Sequence, residues 1–433
     1  MTLNRWSVGM RLIAQYYLLF LCLNIFFPKI NLGGTSFYFF EVTNAILFAL
    51  FFILYRKFYF GNQVVKTYVA LMVLSFFSYW AGFVKFGFLD ATSFGRLLKF
   101  TFFIFYIVFP YYLYRYITER QIASVLNFQI LFFLLAGTYV IYNMITSPAS
   151  MVEYIWGYDN RYRLVGFTGY GIGLDGKIER LAGTTSVSMG VFVAFVFLIL
   201  LAVYHFTRRN IILIKLTLLL FLLMLTYSRT GVIVLVTGVA YYVLLNVRSL
   251  LIWKMAIVVT GLVGVAWLSG VLESIGSMGT LSKLTGLSPL DDPRVVMLGE
   301  GIRYLIENPE AILLGSGYGE KYSLEAVGYT HLEGIFPTTL LTSGIIAVIV
   351  LALQFYFVWW YARWGSQTIE SRFNMYLYGI RLFAPGWFLS SLLSGNTFQT
   401  DFYFPIIYFI FMVSYLRARD QHYSLSVQSV PAL

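Results

Sequence analysis

The chain has 433 residues, 59% of them hydrophobic and 11% charged, with a mean hydropathy of +0.77 and a formal net charge of +11. Too many apolar stretches reach membrane-spanning length for a soluble multi-domain protein, so the composition predicts one polytopic membrane domain over residues 1–433. The single cysteine, Cys22, excludes an intramolecular disulfide and any cysteine-based metal site.

In chain order, Arg5 and Arg11 precede "LIAQYYLLFLCLNIFF", an apolar run with no small-x-small cleavage site after it, which reads as the first membrane helix rather than a signal peptide. About 20 apolar residues cross a hydrocarbon core. That rule predicts an all-α protein of about twelve spans at 11–27, 37–55, 67–84, 100–114, 122–145, 183–206, 211–227, 231–247, 252–270, 335–360, 380–394 and 402–416, the eleventh being the weakest. No short repeat and no low-complexity tract interrupts them.

Lys and Arg collect on the cytoplasmic side of membrane proteins. With both termini placed there, more than half of the 30 basic residues fall on cytoplasmic segments, so the net charge is mostly an orientation signal. It gives no support to nucleic-acid binding, since no soluble domain carries a basic and aromatic stripe. This orientation puts two long loops outside, 146–182 and 271–334. Arg161, Arg163, Arg180, Arg294 and Arg303 lie in them against the usual bias, and Arg229 in "YSRTG" sits at the outer end of the short hairpin between the seventh and eighth spans. An arginine at a membrane boundary can snorkel to lipid phosphate. Several converging on one face would instead suit a multiply charged anion, because the guanidinium pairs with phosphate in a planar, bidentate way.

The second loop contains "DDPRVVMLGEGIRYLIENPE". Asp292 as N-cap, Pro293 as first helical residue and Pro309 as terminator predict a helix, with Val295, Leu298, Ile302, Leu305 and Ile306 as its apolar stripe. Arg294 falls in the first turn, where free amides and the positive dipole end attract anions. Arg303, nine residues on and about 180° around the helix, can pair with Glu300 or Glu307 instead. The following "LLGSGYG" is glycine-rich enough to cradle a phosphate but lacks the Lys-Ser/Thr pair of a P-loop. His331, the one histidine on the predicted outer side, precedes the tenth span beside Glu333 and is a candidate general base. Asp291 and Asp292 read as capping residues rather than metal ligands, and Ser228 has no base near it in sequence.

A Ser-Arg at the outer end of a short hairpin, a large late external loop and a histidine just before the next span together resemble the bacterial O-antigen polymerase and O-antigen ligase superfamily. "DPRVVMLGEGIRYLIENPEAILLGSGYG" is similar to that family's arginine-led helix, Asn-Pro break and glycine turn, and "ERLAGTTSVSMG" to its Arg-x-x-Gly approach to an earlier span. The likeness runs over residues 180–350. It departs where the family often has His-Asn: His331 is followed by Leu332, and the next glycine within the span is Gly344.

The resemblance implies a GT-C-like fold in the bacterial inner membrane, both termini cytoplasmic, and an inverting transferase working on the periplasmic side without a metal or other cofactor. Its partner would be an undecaprenyl diphosphate-linked oligosaccharide, with membrane lipid around it and a polysaccharide chain-length regulator beside it. In that reading Arg229 and Arg294 stabilise the departing diphosphate, Arg180, Arg303 and Arg163 assist binding, and His331 takes the acceptor proton with Glu333 as partner or substitute. Polymerisation of repeat units, ligation of finished glycan to lipid A core, and transport of the lipid-linked sugar remain three alternatives, polymerisation being favoured. Transport is disfavoured because the charges gather in external loops rather than at mid-membrane. Topology reporters placed after Gly157 and Gly286 are expected to signal the periplasmic side, and cytoplasmic signals at both would remove this site.

Overall fold

The computed structural model describes residues 2–24, 26, 29–32, 35–38, 43–44, 46–47, 49, 63–102, 104–146, 169–172, 178–181, 186–226, 228–246, 293–329, 332, 334–365, 373–393 and 403–428. These are overwhelmingly helical. In chain order they form α1 (Thr2–Leu23), the strands β1 (Lys29–Leu32) and β2 (Thr35–Tyr38), then α2 (Gln63–Phe86), α3 (Ala91–Phe102), α4 (Ile104–Leu113) and α5 (Glu119–Thr146). The strands β3 (Gly169–Ile172) and β4 (Ile178–Leu181) precede α6 (Ser186–Thr207), α7 (Asn210–Leu225) and α8 (Arg229–Leu245). The last part contains α9 (Pro293–Glu307), α10 (Ala311–Leu314), α11 (Glu320–Val327), α12 (Ile335–Gly365), α13 (Asn374–Leu393) and α14 (Tyr403–Gln428). Each strand pair is antiparallel.

Four helices among the described residues, α2, α5, α6 and α12, are long and apolar enough to cross a membrane, with shorter apolar runs in α1, α7 and α8. Several predicted boundaries move. The run expected at 37–55 begins inside β2, where Tyr38 pairs with Lys29. The run expected at 100–114 is split between α3 and α4, and Pro110 lies within α4. The weak eleventh segment is a 20-residue helix, α13. The ninth predicted segment, 252–270, lies outside the described residues.

The core is built around α6, which is buried along nearly its whole length between α7, α8 and α13. Glycines let these backbones approach, as in membrane helix pairs where small residues admit close packing. Gly190 of α6 meets Gly231 of α8, Gly379 of α13 meets Ile199, and Gly386 of α13 meets Val234. Toward the chain termini, the buried Tyr17 of α1 stacks on the buried Tyr408 of α14, ring centroids 5.2 Å apart, and also contacts Phe109 of α4. The far end of the α6, α8 and α13 trio is tied by polar groups. His205 Nδ1 lies 3.0 Å from the Tyr242 hydroxyl, and Asn246 donates to the Tyr378 hydroxyl at 2.6 Å.

Helix α12 is broken at Gly344, where φ is 79° and ψ is 179°. The break withdraws main-chain carbonyls from the helical ladder inside an apolar bundle, where an unpaired carbonyl is costly. Donors from elsewhere in the chain supply them. The Ser316 amide donates to Leu341 O at 2.7 Å, its hydroxyl to the same oxygen at 3.1 Å, and the Gly317 amide to Thr342 O at 3.3 Å. Ser78 of α2 donates its hydroxyl to Thr342 O as well. Gly315 has φ 79° and ψ −178°, lying against the Thr342 carbonyl, while Gly344 lies against the Leu313 carbonyl.

The predicted stripe of α9 is mostly not the side that packs. Gly301, Tyr304 and Leu305 are buried, against Ala311, Leu332 and Leu341, whereas Leu298, Ile302 and Ile306 are exposed. Tyr304 displaces the aliphatic stripe because its hydroxyl accepts from Lys85 Nζ at 2.8 Å, at the end of α2. Leu332 also needs the bare Cα of Gly301.

A Gly344→Ala substitution would place a side chain in a backbone region open essentially to glycine alone and against the Leu313 carbonyl. The expected loss is on the order of 1–3 kcal/mol, read as a lower melting temperature in detergent. Gly299→Ala, with nothing near its Cα, serves as the comparison.

Candidate functional site

The "YSRTG" stretch is first a helix start. Ser228 is the N-cap of α8: its hydroxyl accepts from the Gly231 amide at 3.0 Å and donates to Val187 O at 3.4 Å, and its own amide donates to Thr226 Oγ1 at 3.2 Å. It is buried and fully engaged, as a cap rather than a nucleophile. Gly231 is required because its Cα sits on the Gly190 backbone. Arg229 is therefore the first residue of α8, and no acidic residue stands in that first turn. A cation there adds to the positive end of the helix dipole instead of opposing it. A bound anion would reverse the sign of that local cost.

The packing shows which predicted residues share this end of the bundle. Helices α8 and α13 run antiparallel, since Gly386 lies on Val234 and Gly238 on the Leu382 carbonyl. Continued at 1.5 Å per residue, that register brings Arg229 to the level of Ser390 and Ser391. Gly334 lies against the Leu392 carbonyl, so the chain just before α12 reaches the same level. Arg180 pairs with Tyr170 in the β3–β4 hairpin and stands shortly before α6, whose first turns carry Val187 and Gly190 against Ser228. Arg294 is the second residue of α9, and seven residues on in that helix Gly301 supports Leu332.

The backbones of Arg229, Arg180 and Arg294 are placed in this way, while their side chains lie outside the described residues, as do Arg163, His331 and Glu333 altogether. Arg303 is exposed, and its Nε donates to Glu307 at 2.9 Å, so its guanidinium is held by its own helix.

The glycine-rich "LLGSGYG" is not a phosphate cradle. The amides of Ser316 and Gly317 are already given to the carbonyls of the broken α12, and Gly317 lies on Gly82 of α2. Its glycines serve backbone approach between α2 and α12.

A buried carboxylate that sequence reasoning overlooked anchors the late helices. Asp90, 1% exposed, caps α3, accepting from the Ser93 amide at 3.3 Å and the Ser93 hydroxyl at 2.6 Å. Its Oδ2 also accepts from the Lys321 amide at 3.2 Å, while Ser93 Oγ accepts from the Glu320 amide at 3.1 Å. One Asp-x-x-Ser unit thus caps two helix starts, one from each half of the chain. Arg96 pairs with Glu320 over the same joint, and Tyr322 donates to Phe88 O at 3.0 Å. Burial alone would push the Asp90 carboxyl up, but hydrogen bonds from Ser93 and Lys321 and the charge of Lys321 outweigh it and hold the group below its ordinary value. The signal was present as "DATS", a cap pattern ahead of an apolar run. Nothing local in it names Lys321 as a second partner.

The sequence matches no protein-family model and no curated protein.

Asp90→Ala removes acceptors from both helix starts and is expected to cost about 2 kcal/mol, with Asp90→Asn milder, by thermal melts in detergent. Because the folded value is depressed, the stabilisation is complete above the ordinary aspartate value of about 3.9 and is lost as pH falls through the lower folded value. Melts across neutral pH should therefore show no contribution from Asp90 titration.

Proposed function

We propose that this chain is a metal-independent, inverting membrane glycosyltransferase that polymerises undecaprenyl diphosphate-linked oligosaccharide repeat units into a surface polysaccharide such as O antigen. The observation that supports the reading best is Arg229 at the first position of α8, with no acid in that turn and with the chain before α12 reaching the same level of the bundle. In this reading the protein has about twelve spans in a GT-C-like arrangement in the bacterial inner membrane, with cytoplasmic termini and a periplasmic site.

In the reaction, an acceptor sugar hydroxyl attacks the anomeric carbon of the donor from the face opposite the diphosphate. The new C–O bond forms as the bond to the diphosphate oxygen breaks, inverting the configuration. The proton passes from the hydroxyl to His331, with Glu333 orienting it or replacing it, and the electron pair leaves with the lipid diphosphate. Arg229 and Arg294, each within the first two residues of a helix, meet that negative charge with the guanidinium and the positive end of the helix dipole together. Arg180 and Arg163 contribute from the early loop. Arg303, held by Glu307, has the weakest claim of the set. A chain-length regulator is the protein partner this activity calls for.

The test is turnover by purified protein in lipid, without divalent metal, on an undecaprenyl diphosphate-linked repeat, with products resolved by size. Wild type is expected to give a ladder of longer lipid-linked glycans. Arg229→Ala should lower the rate by about 10²–10³, and His331→Ala by about 10²–10⁴. No elongation of authentic substrate overturns polymerisation, and transfer to lipid A core or transbilayer movement of the same donor then separates the ligase from the transporter.

A further inference from the structure

Helix α9 has three faces rather than the two of an ordinary amphipathic helix. At about 100° per residue, Met297, Gly301, Tyr304 and Leu305 form the side turned to Ala311, Leu332 and Leu341. Glu300, Arg303 and Glu307 form a charged side, closed by the Arg303–Glu307 pair, with the exposed Val296 at its N-terminal end. Leu298, Ile302 and Ile306 form the third, between these two, with Ile302 49% and Ile306 72% exposed. The short α10 adds Ile312, Leu313 and Leu314, all exposed, Leu313 by 57%.

We propose that α9 and α10 are seated in the edge of the bilayer at the end of the bundle that carries Arg229, with these six aliphatic side chains among lipid acyl chains. A helix lying in a membrane interface needs one face for protein, one for hydrocarbon and one for water, which is the division α9 shows. The depth of α10 supports the same occupant independently. Its Leu313 carbonyl lies against Gly344, nine residues into α12 from Ile335, or about 13 Å along a helix axis. Just beyond, Ile346, Ile349 and Leu353 are exposed on a helix long and apolar enough to cross a membrane. The aliphatic side chains of α10 thus begin at the level where α12 offers its own apolar surface. Charge marks the upper limit of the seat: Lys85, at the end of α2, reaches Asn308 at 3.3 Å and Glu310 at 3.6 Å, in the turn between α9 and α10. The late loop is therefore partly a membrane element, an outcome independent of the reaction the protein performs.

The test uses the full chain with Cys22→Ser and one new cysteine at a time: Ile302→Cys, Leu313→Cys and, on the charged face, Glu307→Cys. Ile306→Cys stands in should Ile302→Cys fail to fold. Each is labelled with an environment-sensitive fluorophore and reconstituted into phosphatidylcholine and phosphatidylglycerol vesicles. Labels at 302 and 313 are expected to lose fluorescence to a lipid-borne doxyl quencher and to be shielded from aqueous iodide, with the reverse at 307. Quenching of 302 and 313 by iodide overturns the proposal in favour of a water-facing surface. Protection from both quenchers overturns it in favour of a protein cover, either residues 251–290 or a second copy of the chain. No substrate enters the measurement, so its failure and that of the transferase reading are separate results.

Discussion

A main-chain carbonyl that leaves a helix within an apolar bundle has no water to turn to. The break in α12 releases such groups at Leu341 and Thr342, and the chain answers from two distant places, Ser316–Gly317 and Ser78. That requirement draws the late helices onto α2 and α12. It demands glycine at 315 and 344, where main chain lies on main chain with positive φ. Once the joint is made, Lys85 reaches the turn after α9, Asp90 caps α11, and Leu332 settles on Gly301. The segment leading into α12 is thereby held between α9 and the end of α13.

The two ends of the bundle are chemically different. At one, α8 and α9 begin with arginine in their first two positions, and a buried carboxylate holds two further helix starts. At the other, α6, α8 and α13 are joined by hydrogen bonds among His205, Tyr242, Asn246 and Tyr378, and Arg381 of α13 donates to the Tyr241 hydroxyl at 3.4 Å. Positive charge at the positive end of a helix adds to the dipole rather than opposing it, the arrangement that favours an anion at such an end. The same end carries the aliphatic stripe of α9 and α10.

Much of the helical content was legible because a membrane span must be long and apolar, and length and hydropathy are local properties. Pro293 opening α9 was legible for the same reason, since capping involves neighbours in sequence, whereas the sequence reading weighs Ser228 only as a nucleophile and begins the eighth span at 231, inside α8. The face that α9 packs was not. Hydrophobic periodicity in a soluble protein marks the buried side, but beside a bilayer an aliphatic stripe can be the outward one, and here a tyrosine and a glycine pack instead. "LLGSGYG" was open to two readings in a related way, because the same glycines that would bare amides to a phosphate also bare them to carbonyls of another helix.

The amino-acid sequence by itself determined the apolar, mostly helical character of the chain, the Pro293 start of α9 and the concentration of arginines in the segments flanking α8 and α9. Each follows from composition or from residues a few positions apart. Only the tertiary structure decided that Arg229 and the chain before α12 reach one level, that Asp90 serves two helices, and that the glycine turn mends a broken span. Those outcomes join residues up to 264 positions apart, as Ser78 and Thr342 are, and no local pattern encodes a partner that only the packing of helices brings within hydrogen-bonding reach.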